Sequence, residues 1–547
     1  MSREEHTFPT RSYPYRYPSA AGEGAAADAV VEAVRNLKLE PGRLYRFVLG
    51  LDAMPAQMTE AEIDELLRDP FAQLLLRRGT FALTLRDLLA ALDAVNGEPD
   101  GLPEQKTFLV ADGGQIPFSP ETAAVNRLLR FTVVRLRGSD ARLMVSASTS
   151  LDSAEQFLQL IAWDAVNGFF NFYERRGGTW IWAGNSFCAL RPESRGQGPF
   201  DSHVNGAMVM KELRLPWSNW HSMRAAIQDN ILAPEDPLRN EPLFRNRISA
   251  HELEVSVVKP GIDRWTRARL AKAIANDGMI SEVRSFLRQI LETTSVNLAS
   301  SDTQSAQVTE DTSIVLPNTF FLNVDALLDN VGLEPDISPI RVSGKLYLDS
   351  LRRFDFAVTD GVFRQPGDTF FAFLIPEPAF EDINVLALLL ERRVISARFA
   401  ACLLMIDFQN PISSARRRKL MAYVPDNARA VSGDNVPDDI AHQFVAAIEA
   451  VAATLPAESP EREFLDNWRL AEDVWKRTFE TRLEEYFAKL QQLAGVDEGF
   501  DGWTRLAESR RREFRKRPLA EFRLTTPITN IPANTPSLSM NVDGTVS

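Results

Sequence analysis

Cysteine, histidine and long apolar runs are what this 547-residue chain has least of, and each shortage closes off a class of protein. Only Cys188 and Cys402 occur, far apart in sequence. Two cysteines cannot build a disulfide framework, nor a structural four-cysteine zinc site. The densest apolar run, Phe399 to Ile406, falls far short of the roughly 20 residues that span a bilayer, so no membrane span is expected. The first 30 residues carry charges and prolines where a secretory signal needs a continuous apolar stretch, and a cytoplasmic location is expected. Positive charge is not in excess either. The formal net charge is −13, and because phosphate neutralisation needs a basic surface, no nucleic-acid partner is expected.

What is there reads as a globular protein, with 45% apolar and 25% charged residues. Its length exceeds what one hydrophobic core fills, which predicts two or three folding units. The patterning predicts an α+β fold: two antiparallel β-rich portions covered by helical layers, with a helical C-terminal region. Residues 1–24, rich in Pro, Tyr and Arg without period, read as an extended arm and 25–100 as helical. There Thr59 with Glu62 forms a capping-box pattern before Ile63, and Thr84 is placed to cap the next helix. Residues 101–225 read as β-rich, 226–298 as helical, 299–312 as a polar linker and 313–380 as a second β-rich region. Residues 381–523 read as helical and 524–547 as a polar tail without regular structure.

The stretch from Trp163 to His221 holds five of the nine tryptophans, two of the five histidines and one of the two cysteines. Its first half reads as strands punctuated by Asn167-Gly168 and Gly177-Gly178, with Trp180 and Trp182 on one strand face. That face reads first as core, and alternatively as a pocket wall. The second half, Arg195 to His221, contains the groups able to do chemistry. Gly196-x-Gly198 lacks the third glycine of a dinucleotide fingerprint, because Asp201 stands there. Asp201-Ser202-His203 offers the side chains of a triad, but adjacent residues do not readily form its hydrogen-bonded line, and no G-x-S-x-G elbow exists. A metal reading uses His203 and His221 with Asp201 or Glu212, since imidazole and carboxylate suit zinc or non-haem iron.

Pro199-Phe200-Asp201-Ser202-His203 occupies the frame of a C-x-x-C-H haem-attachment box with both cysteines replaced. Together with the run His203 to Leu213, then Pro216-Trp217-Ser218-Asn219-Trp220, and the later Ile406-Asp407-Phe408-Gln409-Asn410-Pro411, it resembles bacterial c-type-haem-related proteins of unassigned function. Thioether attachment needs the missing cysteines, so covalent haem is excluded. The resemblance implies either a non-covalent haem on His203, with Met208, Met210 or His221 as second ligand, or a relative that has lost the cofactor and kept the fold. The expectation that follows is an oxidoreductase-like protein using a metal or non-covalent haem near His203, with His221 as ligand or acid/base group. Trp180, Trp182, Trp217 and Trp220 would shape a pocket for a small molecule. The alternative is a non-catalytic binding or assembly protein that engages a protein partner through its terminal regions. Two basic clusters, Arg416 to Lys419 and Arg510 to Arg517, read as solvated or intramolecularly paired.

Overall fold

Apolar residues recur in short runs between Glu104 and Asn185, broken by turn-forming pairs, and they fold into one antiparallel meander. The structure, a computed structural model, describes residues 39–111, 118–126, 129–209, 227, 229–360, 363–433, 436–515 and 527–547. Its main sheet comprises β1 (Leu44–Arg46), β2 (Ala56–Gln57), β3 (Glu104–Ala111), β4 (Leu129–Arg137), β5 (Asp140–Ser148), β6 (Leu158–Asp164), β7 (Phe169–Arg176) and β8 (Thr179–Asn185). The order across it is β2-β1-β8-β7-β6-β5-β4-β3. Strand β1 runs parallel to β8, so the N-terminal region is not helical throughout: Leu44 to Arg46 complete the sheet by pairing with Trp180 to Trp182.

Both faces of the sheet are covered. On one lie α1 (Glu60–Leu66), α2 (Pro70–Leu74) and α3 (Leu85–Ala94). The capping box forms: Glu62 N donates to Thr59 Oγ1 and Thr59 N to Glu62 Oε2. Thr84 accepts from Asp87 N at the start of α3. Phe71 of α2 meets Tyr173 and Trp180 edge-on, with ring centroids 5.0 and 4.8 Å away. Burial of such a ring contributes about 1.5–3 kcal/mol. On the other face Phe172 meets Phe200 at 5.3 Å, and Gly261 lets α4 (Lys259–Ala273) approach Phe170.

Helix α4 crosses between two cores, with Trp265 in the sheet's core and Leu270 and Ala273 in the second. The second core is built by α5 (Val283–Leu291), α6 (Gly344–Arg353), α7 (Phe380–Glu391), α8 (Ala397–Leu404), α9 (Ile440–Ala452), α10 (Pro460–Trp468), α11 (Trp475–Leu493) and α12 (Asp497–Arg515). The α+β class is therefore as the patterning predicts, although β structure after residue 300 is limited to short two-stranded ribbons among the described residues. The apolar run Ile340 to Leu348 turns helical at Gly344, because Ser343 accepts from Leu346 N and caps α6.

Two segments read as loose are packed. In 299–312, Ala299 closes a strand pair with Ile375, and Ser301, 2% exposed, donates its N–H to Ala372. The polar tail folds back on itself, Ser539 bonding Ser547, and inserts Met540 into the second core. Composition identified both as polar, but their backbone groups find partners that no local pattern reveals. The arm at 1–24 lies outside the described residues. Among those described, no helix is long and apolar enough to cross a membrane.

Candidate functional site

Strand β8 ends at Asn185, whose side-chain oxygen caps the short helix Ser186–Leu190. The chain then passes through a 3₁₀ turn, Gly198–Asp201, and enters the tight turn His203-Val204-Asn205-Gly206. Gly206 N donates to His203 O at 2.8 Å. Gly206 has φ +72°, and a Cβ there would lie 2.5 Å from the Ser186 carbonyl oxygen, so only glycine fits. Ser186 Oγ donates to Gly206 O at 2.7 Å and accepts from Phe170 N at 2.9 Å, which ties the turn to β7.

His203 is half-buried, its ring tilted on Phe172 with centroids 5.4 Å apart. Its Nδ1 lies 2.9 Å from the Ala207 carbonyl oxygen, which can only accept. Nδ1 therefore carries the proton and Nε2 is the basic nitrogen, the orientation that imidazole ligands and general bases share. Next along the same face of β7 come Glu174 and Arg176, and with Ile181, Ala183 and Pro199 they line a cavity of about 20 Å³, room for one water.

Of the other residues singled out, Asp201 is half-buried at the end of the 3₁₀ turn. Met208 is fully buried in the sheet's core against Gly261. Met210, Glu212, Trp217, Trp220 and His221 lie outside the described residues. Among those described, no three His, Cys, Asp or Glu side chains are grouped to hold a metal. Trp180 and Trp182 are core: their Nε1 atoms donate to Ala82 O at 2.8 Å and Asn171 Oδ1 at 2.9 Å. Burial pushes the Cys188 thiol up and that of Cys402 up to about 12, which disfavours either thiolate as a nucleophile.

The residue of this turn with the most consequential contacts is Asn205. Its amide, 3% exposed, donates to Thr294 Oγ1 at 2.7 Å and to Asp382 Oδ1 at 3.2 Å. The same Asp382 oxygen accepts from Thr294 Oγ1 at 2.7 Å and Gln289 Nε2 at 2.9 Å. Gln289 in turn accepts from Arg269 Nη1 at 2.6 Å, and Trp265 Nε1 donates to Asn205 O at 2.9 Å. Burial pushes the Arg269 guanidinium down to about 10. This network bolts the turn from the sheet's side onto α4, α5 and α7. Sequence reading singled out neither: the available signal for Asn205 is its Asn-Gly pair, whereas Asp382 follows Glu381 in the first turn of a helix, where acids are ordinary.

The basic clusters are also partly interior. Arg417, Arg510 and Arg511 are buried: Arg417 donates to the Ile406, Asn410 and Pro411 carbonyls and Arg510 to that of Phe320, while Arg511 pairs with Glu508 at 2.9 Å and also donates to Leu374 O. Asp407 Oδ1 accepts from Gln409 and Asn410, so the segment Ile406 to Pro411 is an internally bonded turn.

The chain matches no family model, no curated protein and no solved structure.

Proposed function

We propose that this chain is a non-catalytic binding or assembly protein in which the segment around His203 acts as a joint between the sheet body and the helical body. The observation that carries this reading is the Asn205–Asp382 bond with its satellites, which links residues 177 positions apart through buried polar side chains. Trp180, Trp182 and Met208, candidates for a pocket or a ligand set, have structural work that accounts for their chemistry.

A second reading keeps a non-covalent haem or a transition metal on His203 Nε2, and with it oxidoreductase-like chemistry on a small molecule. It is supported by the Nδ1 contact with Ala207 O, which presents Nε2 in the orientation a ligand needs. An absorption spectrum with elemental analysis, on protein made with iron and haem supplied, separates the two. The joint reading expects no Soret band and no stoichiometric metal, with His203→Ala altering stability alone. A Soret band or one bound metal per chain that disappears in His203→Ala would replace it with the second reading.

A further inference from the structure

A second polar site shares Asp382 and Gln289 with the Asn205 network. Between α5, α7 and the segment running from Ile406 to Arg417 is a cavity of about 30 Å³, its polar lining Arg417, Gln289, Glu292, Thr293, Ser295, Asn323 and Asp382, walled by Pro411 and Ile412. About 10–15 Å³ of such space admits one water, so this cavity takes about two to three waters, or one group of about three heavy atoms.

Arg417 decides what that group is. It is 4% exposed, and its two Nη atoms are used on the Ile406, Asn410 and Pro411 carbonyls. Its Nε has no hydrogen-bond acceptor among the described residues. Asp407, the acid that acts on it electrostatically, already accepts from Gln409, Asn410 and Ser414. A buried guanidinium N–H without an acceptor is expensive, and an orphan of this kind calls for a water or an ion. The walls add a second observation. Asp407 and Ser413 hold φ of 54° and 57°, strained values for non-glycine residues, on either side of Pro411 and Ile412, and Ala326 enters the lining from a π-helical turn, Asp325–Asn330. Strained backbone and π-turns gather where a ligand is gripped. Asp382 and Glu292 line the same space, but the three donors on Asp382 Oδ1 disperse its charge and Arg288 Nε pairs with Glu292 Oε2 at 2.9 Å.

We infer that this cavity binds the carboxylate end of a small organic acid, with Arg417 supplying the charge and the Thr293 and Ser295 hydroxyls and the Asn323 amide the neutral donors. A carboxylate has the three heavy atoms that the volume allows, and its planar oxygens suit a guanidinium edge. This site shares Gln289 and Asp382 with the joint but does not use His203. The probe is acetate against its neutral counterpart acetamide, titrated into the full chain in chloride-free buffer and followed by ligand-observed NMR. Acetate is expected to bind saturably, acetamide at least tenfold more weakly, and Arg417→Lys to weaken acetate at least tenfold. Arg417 also braces its turn, so that variant can fail to fold; Ser295→Val, which leaves the brace intact and fills the donor's place with a methyl, is then decisive and is expected to lose acetate. The inference is overturned if wild-type protein shows no saturable acetate binding, if acetamide binds as well, or if folded Ser295→Val binds acetate unchanged.

Discussion

The joint can be tested by removing its centre. Asp382→Ala deletes the oxygen that accepts from Thr294, Gln289 and Asn205. Hydrogen bonds to a charged group contribute about 1.5–3 kcal/mol each, which would imply a loss of roughly 4.5–9 kcal/mol if the three acted alone. They do not: Asn205 keeps its bond to Thr294 and Gln289 its bond to Arg269, so each donor retains part of its satisfaction. The loss expected is therefore about 3–5 kcal/mol, the range for breaking a buried charged interaction on one side. The informative measurement is the double-mutant cycle with Asn205→Ala, by urea denaturation followed through tryptophan fluorescence and far-UV circular dichroism. Residues in one network couple by about 0.5–3 kcal/mol, and a value of about 1–2 kcal/mol is expected here. Coupling below about 0.5 kcal/mol would refute the joint. The two probes add a second check, since a weakened joint should separate transitions that coincide in the parent protein.

Gly206→Ala should destabilise by more than about 2 kcal/mol, because a left-handed non-glycine residue alone costs roughly 1–2 kcal/mol and its Cβ would also strike Ser186 O; thermal denaturation measures it. Asp69 is buried, accepts from Tyr173 Oη at 2.6 Å, Asn171 Nδ2 at 2.9 Å and Ala72 N, and burial pushes its carboxyl up to about 6. A folded-state value above the unfolded one means the contribution is fully present below about pH 4 and lost as pH rises through about 6, at most about 3 kcal/mol. Asp69→Asn should remove that slope from the pH dependence of urea stability, and an unchanged slope would refute the assignment. Asn410 bonds both backbone groups of Met540, at 2.9 Å each, so Asn410→Ala should cost about 2 kcal/mol and hasten carboxypeptidase trimming of the tail.

Local chemistry was legible where it acts over a few residues. The capping box at Thr59 and Glu62, the cap at Thr84 and the strands from Glu104 to Asn185 are settled by side chains within about four positions of one another, and so was the α+β class. The helical stretches from Glu381 to Ile406 and from Glu461 to Leu493 were legible as helical, but each divides in two, at Arg392–Ile395 and Arg469–Val474. Apolar periodicity continues across such breaks because both helices face one core.

What the sequence determined by itself is this local alphabet, together with the concentration of aromatic and imidazole groups before residue 221. Only the tertiary structure decided that Asn205 would meet Asp382, that Arg417 would be enclosed among carbonyls and that Met540 would dock against Asn410. Each depends on a partner brought from elsewhere in the fold or on burial, and neither is written in spacing. A buried asparagine and a solvated one, or a clasping arginine and a surface one, are the same letter until the chain closes around them.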